Sequence, residues 1–190
     1  MNQDPARPVA HRGPLWLDGQ VTTAVGAVPR ARTRLTAADR LGAWKVRWNI
    51  DRTGYAVPPG LYAVGTPGPE APVCVSANYK LSFDHLRQAL SGRDAWLLVL
   101  DTRGINVWCA AGKGTFGTDE LARRVQACAL DRVVSHRRLV VPQLGAPGVR
   151  AAEVKERSGF RVEFGPVYAA DLPAFLDARY TATPEMRRVR

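Results

Sequence analysis

Short apolar runs alternate along this chain with segments whose apolar residues recur every three or four positions. Leu61 to Gly65, Val73 to Ala77, Leu139 to Val141 and Phe160 to Phe164 have strand length. Ala95 to Asp101 is continuously apolar apart from its last residue, as expected of a strand buried on both faces in the middle of a parallel sheet. Between these runs, Phe83, Leu86 and Leu90 share a helical face after a capping Ser82. Leu121, Val125 and Cys128 share another after Thr118, with Asp119 and Glu120 in the first turn, where acidic side chains favour the helix dipole. Gly148 to Ser158 predicts a helix closed by Gly159, and Asp171 to Ala178 a last one. Strands separated by helices of this length predict an α/β fold with a mostly parallel sheet and helices on both faces.

The first third of the chain is less regular. Pro5, Pro8, Gly13 and Pro14 predict an N-terminal tail over residues 1–18. Gly19 and Gly26 bracket Gln20 to Val25, and Ala27 to Arg34 follows, which predicts a small hairpin. Thr36-Ala37-Ala38-Asp39 has the form of a capping box and predicts a helix reaching about Trp48, with Leu41, Trp44 and Trp48 packed on the main domain.

Composition then narrows the picture. A chain of 190 residues suits one domain, here placed at 19–180, which buries about two thirds of its unfolded surface without disulfide staples. Cys74, Cys109 and Cys128 are odd in number and widely spaced, so a disulfide framework and a paired-cysteine zinc site are both excluded and a reducing cytosol fits. The longest clearly apolar run, Ala95 to Leu100, is too short to cross a bilayer, so the chain reads as soluble. Lys and Arg exceed Asp and Glu by 27 to 17, which attracts anions of any kind. The basic residues lack the aromatic interleaving of a single-strand binding surface, so no nucleic-acid partner is expected.

In parallel sheets ligands sit beyond the carboxyl ends of the strands, which here points to Ser76–Lys80, Thr102–Lys113, Pro142–Gly148 and Gly165–Val167. Gly112-Lys113-Gly114 fails as a P-loop, because Val107 stands where the first glycine belongs and Gly114 where Ser or Thr belongs. His11, His85 and His136 read as solvated rather than as bases for a cysteine nucleophile. Cys109, with small neighbours and Lys113 four residues on, could be a thiolate ligand to a transition metal in a flat cofactor. A structural cysteine explains those residues equally well.

Asn106-Val107-Trp108-Cys109-Ala110-Ala111-Gly112-Lys113 resembles the signature of the HgcA family of corrinoid proteins of microbial mercury methylation. The resemblance covers roughly residues 19–188, including Ser76-Ala77-Asn78-Tyr79-Lys80-Leu81, Gly114-Thr115-Phe116-Gly117-Thr118 and Pro142-Gln143-Leu144-Gly145. More distantly the chain is similar to the corrinoid-binding domain of the large subunit of the corrinoid iron-sulfur protein of the acetyl-CoA pathway, which lacks the cysteine. The resemblance implies a Rossmann-like domain that holds cobalamin or a related corrinoid with its benzimidazole tail displaced, and Cys109, in a short cap helix, as axial ligand to cobalt. Expected contacts around the corrinoid are Ser76, Asn78, Thr102, Gly104, Asn106, Val107, Trp108, Ala110, Ala111, Gly112, Lys113, Gln143 and Gly145.

It further implies a methyltransferase acting on inorganic Hg(II), a methyl donor from a methyltetrahydrofolate-linked pathway, and a ferredoxin-like partner with two 4Fe-4S clusters. A methyl carrier of one-carbon metabolism without mercury specificity is the alternative. Family members continue into a membrane domain on the cytoplasmic side of the cell membrane. Arg187, Arg188 and Arg190, in the basic segment 181–190, are then expected to lead into it.

Overall fold

A computed structural model describes residues 14–36 and 56–189. The helix expected up to Trp48 and residues 1–13 of the expected N-terminal tail lie outside the described residues, while Trp16 is buried and Leu17 opens the first strand. Seven strands form one sheet: β1 (Leu17–Thr23), β2 (Gly26–Ala31), β3 (Gly60–Val64), β4 (Val73–Ala77), β5 (Ala95–Leu100), β6 (Arg138–Val141) and β7 (Arg161–Phe164). Their spatial order is β1-β2-β3-β5-β4-β6-β7. The expected hairpin is β1 and β2, paired antiparallel. The sheet is mostly parallel, as anticipated: β5, β4, β6 and β7 run parallel to one another. β3 is the exception in the centre, antiparallel to β5 from Gly60↔Val99 to Val64↔Ala95. Only residues 65–72 link β3 to β4, too short a segment for the helical crossover that parallel strands need.

Helices α1 (Lys80–Ala89), α2 (Val107–Gly112), α3 (Thr118–Ala127), α4 (Ala151–Ser158) and α5 (Leu172–Asp177) divide between the two faces. Phe83 and Leu86 of α1 and Leu172 and Phe175 of α5 pack with Cys74, Leu97, Val99 and Val140 on one face. Val107, Ala110 and Ala111 of α2, Leu121 and Val125 of α3 and Val154 of α4 pack with Val75, Leu98, Leu100 and Val141 on the other. Right-handed crossovers dictate this division. From β4 the chain steps through α1 to β5 in one direction, whereas from β5 to β6 and on to β7 it moves in the opposite direction, so the helices swap faces. The reversal leaves a crevice at the carboxyl ends of β4 and β6.

Three helix starts differ from expectation. α1 begins at Lys80, not Ser82, because the buried Lys80 ammonium bonds both carboxylate oxygens of Asp84 one turn later, at 2.5 and 2.6 Å. Asp84 also accepts from Arg87 Nε at 2.7 Å, and Arg87 donates to the carbonyl of Arg32, tying α1 to the end of β2. At α3 the Thr118 hydroxyl does not cap its own helix but accepts from the Arg150 amide at 2.9 Å. α4 starts at Ala151 because Gln143–Gly148 forms a separate 3-10 turn.

Candidate functional site

The crevice opens into a cavity of about 600 Å³ on the α1 and α5 side of the sheet. Its floor is Cys74, Val75 and Ser76 of β4 with Val140 of β6; Leu86 and Ala89 of α1 and Leu172 of α5 close its sides. Pro142, Leu144 and Gly165 to Val167 line it at the ends of β6 and β7, where the strand-end rule placed a ligand crevice. Its mouth reaches Asn106, Val107 and Trp108, the first residues of the cysteine segment.

That segment is built from its first residue. Asn106 is the N-cap of α2, its side-chain oxygen accepting from the Cys109 amide at 3.0 Å, which satisfies a donor that six helical residues cannot satisfy among themselves. Val107, Ala110 and Ala111 face the core, while Trp108 is 70% exposed and Cys109 is exposed beside it. Lys113 is the C-cap, its amide donating to the Cys109 carbonyl at 3.1 Å. Gly112 and Lys113 are exposed on the same outer side of the segment.

The small residues around Cys109 serve close packing. A side chain at Gly148 would overlap the Phe116 carbonyl and stand 3.1 Å from the Ala111 Cα, and one at Gly145 would overlap the Phe116 ring. Ala110, Ala111 and Gly145 are therefore the contact surface by which α2, Phe116 and the 3-10 turn approach each other, and they are buried in that contact.

Asn78, Thr102 and Gly104 form a second structural unit. The buried Asn78 side-chain oxygen accepts from the Thr102 amide at 3.0 Å, the Thr102 hydroxyl at 2.8 Å and the Gly104 amide at 2.9 Å. These bonds hold the loop between β5 and α2 in a tight path, with Arg103 at φ 58° and Gly104 at φ 69°. Gln143, an expected cofactor contact, accepts from Arg187 at 2.7 Å, and the Met186 carbonyl accepts from the Val167 amide at 2.8 Å, so the basic C-terminal segment is docked beside the cavity.

Of the expected contacts, Ser76, Asn106, Val107 and Trp108 line the cavity. Asn78, Thr102, Ala110, Ala111 and Gly145 are buried in protein contacts away from it. Sequence reasoning missed the α1 contribution, Ser82, His85, Leu86, Gln88 and Ala89, and the continuation Tyr168, Ala169, Ala170 and Leu172. The helical spacing of Ser82, His85, Leu86 and Ala89 was the available signal.

The three thiols differ in surroundings. Burial pushes the Cys74 thiol up to about 12, keeping it protonated and inert. Burial also raises Cys128, with Arg124 opposing and Glu120 reinforcing the shift. Cys109 is the exposed one. Among the described residues no group of three His, Cys, Asp or Glu side chains could hold a bare metal ion. Nor is any described helix long and apolar enough to cross a membrane.

Comparison with known proteins bears on residues 45–176, which match the family described as CO dehydrogenase/acetyl-CoA synthase delta subunit. The acetyl-CoA decarbonylase/synthase complex subunit gamma of Archaeoglobus fulgidus is 31% identical over 140 residues, 71% of this chain and 29% of the relative. Its counterpart in Methanopyrus kandleri is 32% identical over 123 residues, 64% of this chain and 26% of the relative. That of Methanosarcina acetivorans is 29% identical over 133 residues, 68% of this chain and 28% of the relative. The chain thus spans less than a third of the length of these relatives. These findings overturn the assignment to HgcA and, with it, the mercury-methylating enzyme: the matching family and relatives are those of acetyl-CoA decarbonylase/synthase.

Proposed function

The chain belongs to the CO dehydrogenase/acetyl-CoA synthase delta subunit family, and from that premise we propose that it is a corrinoid-binding methyl carrier of one-carbon metabolism. The observation that carries this reading is the juxtaposition at the switch point: an apolar cavity of about 600 Å³ lined in part by Asn106, Val107 and Trp108, the residues that lead directly to the exposed Cys109. The donor set fits the group. A thiol is a soft ligand, suited to cobalt in a macrocycle that supplies its own equatorial nitrogens, where a bare ion would need several protein ligands.

In this reading Cys109 would ligate the cobalt, while Trp108, Asn106, Val107 and Ser76 line the adjoining cavity. When bound, the corrinoid supplies a cobalt centre able to carry a methyl group between partner proteins. The chain's own part is to hold and orient. Asn106 fixes the first turn of α2 and thereby the backbone of Cys109; Asn78 fixes the loop leading into it. The cavity would hold the tail base of the corrinoid, its apolar walls keeping that base out of water. The gamma-subunit names of the relatives support partners within a multi-subunit assembly; the iron-sulfur partner and the methyltetrahydrofolate-linked donor are our reading of who those partners are.

Titration of the protein with cobalamin, followed by its absorption spectrum, tests the assignment. Binding with altered axial-ligand bands is expected, and Cys109→Ala should retain binding but lose the altered bands. Spectra identical for the two proteins would remove Cys109 from the role, and absence of any binding would remove the corrinoid.

A further inference from the structure

The chemistry of the cavity wall bears on which corrinoid this chain selects, a question that rests on the corrinoid reading above. Corrinoids differ in the base that ends their nucleotide tail: dimethylbenzimidazole is apolar with one free ring nitrogen, adenine adds an exocyclic amine and further ring acceptors, and cobinamide has no tail at all. The apolar side chains lining the cavity include Leu86, Val140, Leu144 and Leu172, with Pro166. The buried polar side chain set in that wall is Ser76, 3% exposed, and its hydroxyl already donates to the Ala77 carbonyl at 3.2 Å. Cys74, 1% exposed, adds a protonated thiol, a weak donor and weak acceptor. Asn106 has its side-chain oxygen committed to the Cys109 amide, Ser82 and Tyr168 are half-buried in the lining, and His85 and Gln88 are exposed.

We propose that this cavity is a selectivity pocket for the corrinoid's lower base, accepting benzimidazole-type bases and discriminating against purine ones. A purine inserted there would lose the water bonds of its amine and ring nitrogens against walls that offer few replacements, whereas a dimethylbenzimidazole exchanges water for carbon contacts. Ser76 is the one buried side chain that reaches the wall with an oxygen, and it can serve the single free nitrogen of a benzimidazole only by turning from Ala77. Apolar pockets discriminate against polar analogues modestly, so the expected preference is about ten- to a hundredfold.

Three ligands decide the matter, each titrated into the intact protein with absorbance as the readout: cobalamin, its adenine-tailed analogue and cobinamide. Cobalamin should bind at least about tenfold more tightly than either of the others. Narrowing the cavity with Ala169→Leu or, from the opposite wall, Ala89→Leu should bring cobalamin down to the affinity of cobinamide while leaving cobinamide unchanged. Equal binding of all three ligands would show that the tail does not enter the cavity, and an adenine-tailed analogue bound as tightly as cobalamin would show that the walls do not select. Either result overturns the proposal while leaving a corrinoid protein; failure of all three to bind removes the underlying reading as well.

Discussion

The two faces of the central sheet are built from similar apolar residues and finish in opposite states. On the α2, α3 and α4 face, glycines and alanines let backbone meet backbone, with Gly145 and Gly148 against Phe116 and Ala111. On the α1 and α5 face, two helices meet the same strands yet leave about 600 Å³ open at the strand ends. Cys109 rides on the closed face and looks outward; the space for a ligand lies under the open one. Small residues beside a reactive-looking side chain are thus evidence of close packing there and say little about room for a ligand.

The sharpest way to break this contrast is Phe116→Ala. The ring is fully buried between Gly145 and the α2 contact, so its loss should cost about 3–5 kcal/mol in chemical denaturation, and a loss below about 1 kcal/mol would mean the closed face is not packed as described. Asn78→Ala should cost about 2–3 kcal/mol, because it strands the buried Thr102 amide and the half-buried Gly104 amide in the loop between β5 and α2. Amide exchange should then quicken in α2 and spare β7; uniform change across the sheet would count against a local role.

Smallest is a pH effect at the cavity floor. Cys74 titrates near 9 when unfolded and is pushed up to about 12 by burial, so above pH 9 the unfolded chain gives up a proton that the folded chain keeps, and stability falls as pH rises toward 12. The slope approaches about 1.4 kcal/mol per pH unit for one thiol. Tyr62, also raised to about 12 by burial, adds to the loss above pH 10. Cys74→Ala should flatten the stability profile between pH 9 and 10, measured by urea denaturation, and an unchanged profile would place the effect elsewhere.

Much of the open face was legible in the sequence. Apolar runs located β3 to β7, and the strand-end rule pointed to Pro142 and Gly165 to Val167, which do line the cavity. What escaped was the burial of local polar pairs and whatever depends on partners far along the chain. The start of α1 turns on Lys80 meeting Asp84 in a buried place, where periodicity predicts no lysine. The Thr118 hydroxyl is taken by the Arg150 amide, 32 residues away. The antiparallel setting of β3 follows from a short connection and not from its own residues. Asn78 read as a ligand contact because a polar residue at a strand end is one; three donors converging from the next strand's loop are invisible in one dimension.

An isolated helix of six residues would not persist in water, since nucleation costs more than so few bonds return. α2 persists because Asn106 closes its first turn and Gly148 lets Ala111 settle on the 3-10 turn. The conformational entropy of the Cys109 backbone is therefore surrendered when the chain folds and not when a ligand arrives. A partner for that thiol has only side-chain rotation and its own tumbling left to lose, a form of preorganisation that raises affinity without adding a single contact.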